Sequence, residues 1–240
     1  MNNTSYVALS RQTALERMMT VIANNVANSA STGFKAERVR FDTVLEDAGA
    51  AGDIAFVQDV GARIDLRDGP IEATGNPLDL AIQGDGFFVV GTAAGDRYTS
   101  AGQFRLNDIG EIVTASGDPV MTIDDVSVLI PAETKNITVA ADGTVTADEV
   151  FVGQLAKVRF AEPDSLVRVG DTLFASDALP EPAADSEIQQ GMIEGSNVQA
   201  VLEITQMMQT VRSFQSTQKV IETQHDLTRR AVERILDVSS

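Results

Sequence analysis

The 240-residue chain has no cysteine and no tryptophan, and only two tyrosines and one histidine. The missing cysteine excludes disulfides and thiolate metal sites, and it leaves the redox compartment undetermined. A lone histidine, His225, excludes multi-histidine metal centres. It also confines any serine–histidine–aspartate arrangement to one position near the C-terminus. No run approaches the ~20 apolar residues that cross a bilayer as a helix, so membrane insertion is not expected. Met1-Asn2-Asn3-Thr4-Ser5 has no basic start followed by an apolar core, so a cleavable Sec-type signal is not expected either. Basic residues are scarce, with 18 Lys and Arg against 35 Asp and Glu.

The resulting net charge of −17 is unevenly spread. The first 35 residues carry +2 and the last 50 carry −1, which leaves −18 on residues 36–190. Clustered Lys and Arg are absent, which argues against nucleic acid as a partner. Acidic middles repel one another, while the two nearly neutral ends are free to associate. Taken alone, an acidic middle is most simply a solubilising surface.

What the chain does have is two heptad stripes, one at each end. From Asn197 onward there is neither Gly nor Pro. One seam position holds Ile204, Val211, Gln218, His225 and Val232; the other holds Met207, Phe214, Ile221, Thr228 and Ile235. Spacing that alternates three and four places both sets on one face of a helix. Ser196 or Asn197 is the expected N-cap. A helix from there to Val238 is about 60 Å long at ~1.5 Å per residue, too long to be a wall of one compact domain. Residues 5–28 form the second helix, with Ala8, Leu15 and Ile22 on one seam position, Met18 and Asn25 on the other, and Met19 and Val26 widening the stripe. Asn24, Asn25 and Asn28 are weak helix formers and mark its end, and Gly33 permits an unusual backbone turn. An amphipathic helix cannot bury its own stripe. The two ends are therefore expected to pair, within one chain or between copies.

The expected fold class is α+β, with long N- and C-terminal helices pairing in a coiled-coil-like layer and a mainly antiparallel β middle. The boundaries read as an N-terminal helix in 1–33, an extended connector in 34–77, a β-rich middle in 78–175, a linker in 176–190 and the C-terminal helix in 191–240. Within the connector, residues 47–53 read as a loop rich in Ala and Gly. Short runs such as Leu78, Leu80 and Ile82, then Phe87-Phe88-Val89-Val90, then Gln154 to Phe160, alternate with turn signals and predict antiparallel strands. Ala141-Asp142-Gly143 reads as a hairpin turn.

No constellation of residues points to catalysis. Gly84-Asp85-Gly86 lacks the third glycine, the following helix and the lysine of a phosphate loop, and reads as a tight turn. Asp124-Asp125 and Asp142-Gly143 lack EF-hand spacing and read as turn acids. His225 sits on a seam and reads, like Gln218, as a polar packing residue that sets register. No catalytic, metal or cofactor residue is assigned, and no small-molecule substrate is expected. Met18, Met19, Met207 and Met208 suit either an adaptable subunit interface or gap-filling in a core.

Four stretches carry a resemblance. Ala23-Asn24-Asn25-Val26-Ala27-Asn28 followed by Thr32-Gly33-Phe34-Lys35 resembles the N-terminal signature of bacterial flagellar rod and hook proteins. Gly84-Asp85-Gly86-Phe87-Phe88, and Tyr98 to Asn107 with Gly110 and Val113-Thr114, resemble their central motifs. Gly191-Met192-Ile193-Glu194-Gly195-Ser196-Asn197-Val198 resembles the start of their C-terminal helix. Together these cover nearly the whole chain in the family's order. The short middle and Thr74-Gly75-Asn76-Pro77-Leu78-Asp79 resemble the proximal-rod branch of that family. The distal-rod branch, with longer chains, is the alternative. Ser29-Ala30-Ser31 before Thr32, and Phe214 where Tyr is common, depart from the pattern.

The resemblance implies a structural subunit of the basal-body rod, a helical drive shaft for motility that crosses the periplasm. It implies export by the flagellar type III apparatus, and partners that are other copies of the chain and other rod proteins. It places Leu15, Met18, Ile22, Val26, Ile204, Met207, Val211, Phe214, Ile221, Val232 and Ile235 in subunit packing of an inner rod layer. Asn24, Asn25, Asn28, Gly33, Phe34, Gly84, Gly86, Phe87, Phe88, Ser196 and Asn197 are the motif residues it singles out. A peptidoglycan-acting enzyme and a soluble binding module are the competing classes.

Overall fold

The structure is a computed structural model that describes residues 3–47, 53–170 and 172–238. It divides into two units. The first comprises residues 1–27, 37–63 and 199–240, and the second residues 28–36 and 64–198.

The first unit holds both helices. α1 spans Asn3–Ala27 (25 residues) and α2 spans Ala200–Val238 (39 residues). At ~1.5 Å per residue, α2 is about 58 Å long. α1 packs along α2. Two strands, β1 (Glu37–Asp47) and β2 (Asp53–Ile64), pair with each other. The segment read as a connector is thus extended, as its β-branched and aromatic content favours, and it is paired. The loop expected at 47–53 lies, for residues 48–52, outside the described residues.

α2 begins nine residues later than the C-terminal segment's expected start at 191. Residues 192–194 are already committed as a strand, and the carbonyl of Gln199 receives the first helical bonds, from the N–H groups of Leu202 (3.0 Å) and Glu203 (3.1 Å). Neither Ser196 nor Asn197 caps the helix. Ser196 Oγ accepts from the Val198 N–H, and the Asn197 side chain is held elsewhere.

The second unit is β-rich, and every strand pairing in it is antiparallel. Its largest sheet has six strands in the order β13 (Leu166–Arg168), β14 (Phe174–Ser176), β6 (Gly95–Thr99), β5 (Phe87–Thr92), β12 (Lys157–Arg159), β15 (Glu181–Pro182). Beside it lie a three-stranded sheet of β9 (Ile137–Val139), β10 (Thr144–Ala147) and β11 (Val150–Gln154), and three pairs. These join β4 (Leu80–Gln83) to β16 (Glu187–Gln190), β3 (Ile71–Ala73) to β17 (Met192–Glu194), and β7 (Arg105–Leu106) to β8 (Ile112–Val113). Residues 176–190, read as a linker, contribute β15 and β16. Pro182 is accommodated because β15 is an edge strand, where a missing N–H costs no ladder bond.

β5 explains why four consecutive apolar residues stand at the centre of the unit. Its side chains alternate between two separate cores. Phe88 and Val90 enter one with Leu80, Phe104, Ile112 and Leu155. Phe87 and Val89 enter the other with Tyr98, Phe160 and Phe174. Aromatic pairs meet edge to face in both, Phe88 with Phe104 at 5.1 Å and Tyr98 with Phe160 at 4.7 Å. Gly102 is fixed by close packing: a Cβ there would stand 1.6 Å from the Leu80 carbonyl oxygen.

Candidate functional site

The resemblance motifs at the two ends of the chain meet inside the second unit. Gly33 turns the backbone at φ 64°, a conformation that L side chains rarely adopt, and a Cβ there would stand 2.3 Å from the Ala101 nitrogen. The Gly33 N–H donates to the Glu194 carbonyl (2.7 Å), which sets the next residue, Phe34, fully inside. The Arg168 guanidinium lies 4.3 Å from the centroid of the Phe34 ring and 5.0 Å from that of Phe174, and its Nη2 donates to the Lys35 carbonyl.

Lys35 and Glu194 are each only 3% exposed. Lys35 Nζ donates to Glu194 Oε1 (2.7 Å), Asp68 Oδ1 (3.3 Å) and the carbonyls of Leu66 (3.3 Å) and Arg67 (3.2 Å). Glu194 Oε1 also accepts the Gly69 N–H at 2.7 Å. Asn197 completes this clasp. Its Oδ1 accepts the Ala36 N–H, and its Nδ2 donates to the carbonyls of Asp65 and Arg67. Buried charges persist only when paired and hydrogen-bonded, and both conditions hold here. Asn28 closes the turn that precedes the clasp, accepting Ser31 Oγ at its Oδ1 and the Ser31 N–H at its carbonyl. Among the other motif residues, Phe87, Phe88 and Ser196 are buried, Gly86 is half-buried, and Gly84 and Asn24 are exposed.

The first unit has its own polar node. Asn25, fully buried, pairs with the backbone of Glu37 in both directions. Its Nδ2 donates to the carbonyl (2.9 Å) and its Oδ1 accepts the N–H (3.0 Å). Asn25 Nδ2 also reaches Glu203 Oε2 at 3.3 Å, and Arg38 Nη1 reaches Glu203 Oε1 at 2.5 Å. Seven residues along α2 and seven back along α1, Thr210 Oγ1 lies 3.4 Å from Met18 Sδ. Those two contacts make the helices antiparallel.

The buried row on α2 is Glu203, Thr210 and Thr217, one residue round from the expected seam. Each threonine hydroxyl donates to the carbonyl four residues back, Thr210 to Gln206 (2.8 Å) and Thr217 to Ser213 (3.0 Å). That internal bond leaves the rest of the side chain free to pack. Met207, Val211, Phe214 and Ile221 flank the row half-buried, as Leu15, Met18 and Val26 do on α1, where Ile22 is buried. Ile204 is 48% exposed, and Gln218 and His225 are exposed, so they set no register between α1 and α2. The side chains of Thr228, Val232 and Ile235 lie outside the described residues.

The pair leaves apolar side chains uncovered. Val201, Leu202, Ile204, Met208, Val220 and Leu227 are all exposed on α2, as is Leu9 on α1. Two helical faces are involved. Val201, Ile204 and Met208 lie on one side of the buried row, and Leu202, Val220 and Leu227 on the other.

Asp124 and Asp142, read as turn acids, lie in turns and Asp125 in a bend, whereas Glu111 stands in a bridge to Leu129. Asp142 accepts the Thr144 N–H and hydroxyl, each at 2.9 Å, and Glu111 accepts Ser127 Oγ (2.7 Å) and Asn107 Nδ2 (2.9 Å). These bonds hold both carboxyls below their ordinary range, ionised and unable to act as acids near neutrality. Burial lowers the Lys157 ammonium and raises the Tyr98 phenol. Among the described residues no group of three or more acids or histidines is placed to hold a metal, and no helix is long and apolar enough to cross a membrane. A cleft of about 150 Å³ runs past Lys35, Asp68, Asp85 and Arg159. Both of its cations are already engaged by carboxylates, Arg159 by Glu181 and Asp185.

Sequence reasoning did not single out Glu203, Arg38, Arg168, Thr210 or Thr217. The only available signal was the seven-residue spacing of Glu203, Thr210 and Thr217, which a hydrophobic period does not register.

Residues 6–35 match the flagella basal body rod protein family, residues 81–147 the flagellar hook protein FlgE/F/G D1 domain, and residues 189–234 the flagellar basal body rod FlgEFG protein C-terminal region. The chain is 37% identical to the flagellar basal-body rod protein FlgF of Caulobacter vibrioides over 98% of both chains. It is 34% identical to FlgF of Mesorhizobium japonicum over 90% of this chain and 91% of that one. Identity to the flagellar basal-body rod protein FlgG of Bacillus subtilis is 31%, over 95% of this chain and 97% of the relative.

Proposed function

This chain belongs to the flagellar basal-body rod protein family, as a structural, non-enzymatic rod subunit most like FlgF, and on that premise we propose how it assembles. The α1–α2 pair is a building block of a coiled-coil-like inner layer of the rod, with neighbouring copies and other rod proteins as its partners. The observation that carries this reading is the set of six exposed apolar residues on α2. A soluble chain rarely leaves such a set bare along one helix. Covering each by a neighbour's helix contributes roughly 1.5–3 kcal/mol before ordering costs. Repetition of that contact along a helical array gives a stiff shaft that transmits torque for flagellum-dependent motility. Within it the packing residues are Leu15, Met18, Ile22, Val26, Met207, Val211, Phe214 and Ile221, with Ile204 turned to a neighbour and Val232 and Ile235 continuing the layer.

The chain reaches the periplasmic part of the basal body by the flagellar type III apparatus and occupies the proximal segment of the rod. Mass spectrometry of purified hook–basal bodies, counted against a reference peptide, tests both the membership and the position. A small fixed copy number retained after membrane stripping is the expected result. A copy number as large as that of a main distal segment moves the assignment to a FlgG-like position, and absence from intact basal bodies removes the assembly reading.

A further inference from the structure

The helix pair is built from residues that tolerate sliding. Met18 and Met207 are unbranched and adapt to irregular neighbours, and the threonine row presents the same surface every seven residues. The apolar positions distinguish one heptad register from the next only by size, Ala14 against Val21 and Leu15 against Ile22. One polar group distinguishes them by its donors. Glu203 is 1% exposed, and its two carboxylate oxygens are each matched to a different element. Oε2 takes Asn25 Nδ2 from α1, and Oε1 takes Arg38 Nη1 from β1.

We propose that Glu203, read by Asn25 and Arg38, is the residue that specifies the register and partner of α1 on α2. The correct partner is an α1–β1 segment that brings an amide and a guanidinium to the same point. The spacing makes the discrimination sharp. In the observed register, Asn25 stands at Glu203 and Met18 at Thr210. A slide of seven residues one way sets Glu203 beside Met18, a thioether with no N–H or O–H to donate. A slide the other way carries Glu203 past Ala27, the end of α1, and sets Asn25 beside Thr210. Either slip leaves a buried carboxylate without its donors. A single buried polar residue that forbids alternative registers is a known use of such groups in paired helices. Asn25 is suited to the task because its amide is itself fixed by both backbone bonds to Glu37.

Because the chain has no cysteine, introduced pairs report register cleanly. M18C/T210C reports the observed register and M18C/T217C the one-heptad slip, each read in the full-length chain as an intrachain disulfide by gel mobility and peptide mass. With Glu203 present, the first pair links at least about tenfold faster than the second, since a slip strands a buried charge. With Glu203→Leu the helices stay paired and the preference for the first pair falls by at least about threefold, the remainder being held by the bonds of Gly33 to Glu194 and of Ala36 to Asn197. Glu203→Gln, which keeps an oxygen for a donor, restores part of the preference. A preference undiminished in E203L overturns the proposal. So does loss of both links in E203L, which makes Glu203 a support of pairing rather than its selector.

Discussion

Glu194 is separated from Lys35 by 159 residues, yet the two form one buried ion pair at 2.7 Å. Removing one member of such a pair is costlier than the pair is beneficial, because the remaining charge stays buried. Glu194→Ala removes the nearer, buried carboxylate from Lys35, leaving it only the half-exposed Asp68 at 3.3 Å, and leaves the Gly69 N–H unmatched. The expected loss is about 3–5 kcal/mol in urea unfolding of the chain followed through the β-rich unit. The double variant K35M/E194L loses less than the sum of the two single changes. Strict additivity shows that the ammonium and the carboxylate do not depend on each other. Both residues stand in stretches that the sequence marks out as motifs, Thr32 to Lys35 and Gly191 to Val198. Their partnership was not legible, because nothing local encodes a contact across so long a separation. The same holds for Asn197. Its type and its place before an apolar run are those of a helix cap. A side chain that can donate and accept was instead used to tie Ala36 to the carbonyls of Asp65 and Arg67.

At the scale of the helix, α2 was readable in its length and period but not in its exact face. Apolar spacing located a stripe through Val211, Met207, Phe214 and Ile221, and these do flank the contact with α1. The centre of that contact is Glu203, Thr210 and Thr217, which a hydrophobicity pattern assigns to solvent. Threonine can face inward because its hydroxyl bonds within its own helix, and Glu203 can because Asn25 and Arg38 await it. Ile204 falls outside the contact for the same geometric reason, a rotation of one residue. Ile221 is half-buried at the far end of the described row. Ile221→Asp replaces a half-buried apolar side chain by a carboxylate, and a charge so placed is tolerated only by staying in water. The variant is expected to be absent from purified basal bodies, with non-motile cells, while the β-rich unit unfolds at the wild-type denaturant midpoint. Normal incorporation of I221D means that this part of α2 is not a packing surface.

At the scale of the molecule, the β middle was legible as a region, whereas its limits were not. Alternation within 78–175 located most of the strands. The unit that the chain builds also takes in residues 28–36, 64–77 and 176–198, because its cores and its clasp draw on them. Ile64 belongs to the core with Phe87 and Phe174, and Ile188 to the core with Phe88 and Leu155. β16 supplies four paired residues to β4, from Glu187 against Gln83 to Gln190 against Leu80, and Lys35 and Glu194 lie outside 78–175 altogether. The two sets of limits predict different behaviour. A fragment of residues 28–198, with 37–63 retained as a loop, keeps both cores and the whole clasp. It is expected to unfold cooperatively in urea and to give a β-type circular dichroism spectrum. A fragment of residues 78–175 exposes the β4 edge and loses Ile64 and Ile188. Two large core side chains at roughly 2–5 kcal/mol each amount to much or all of the stability of an ordinary domain. It is expected to show no cooperative transition and to bind hydrophobic dyes. Comparable stability of the two fragments makes 78–175 the true unit and reduces the clasp to an attachment at its edge. Neither fragment carries the helix pair, so neither is expected in basal bodies, and that shared absence separates the folding of the β unit from the assembly of the rod.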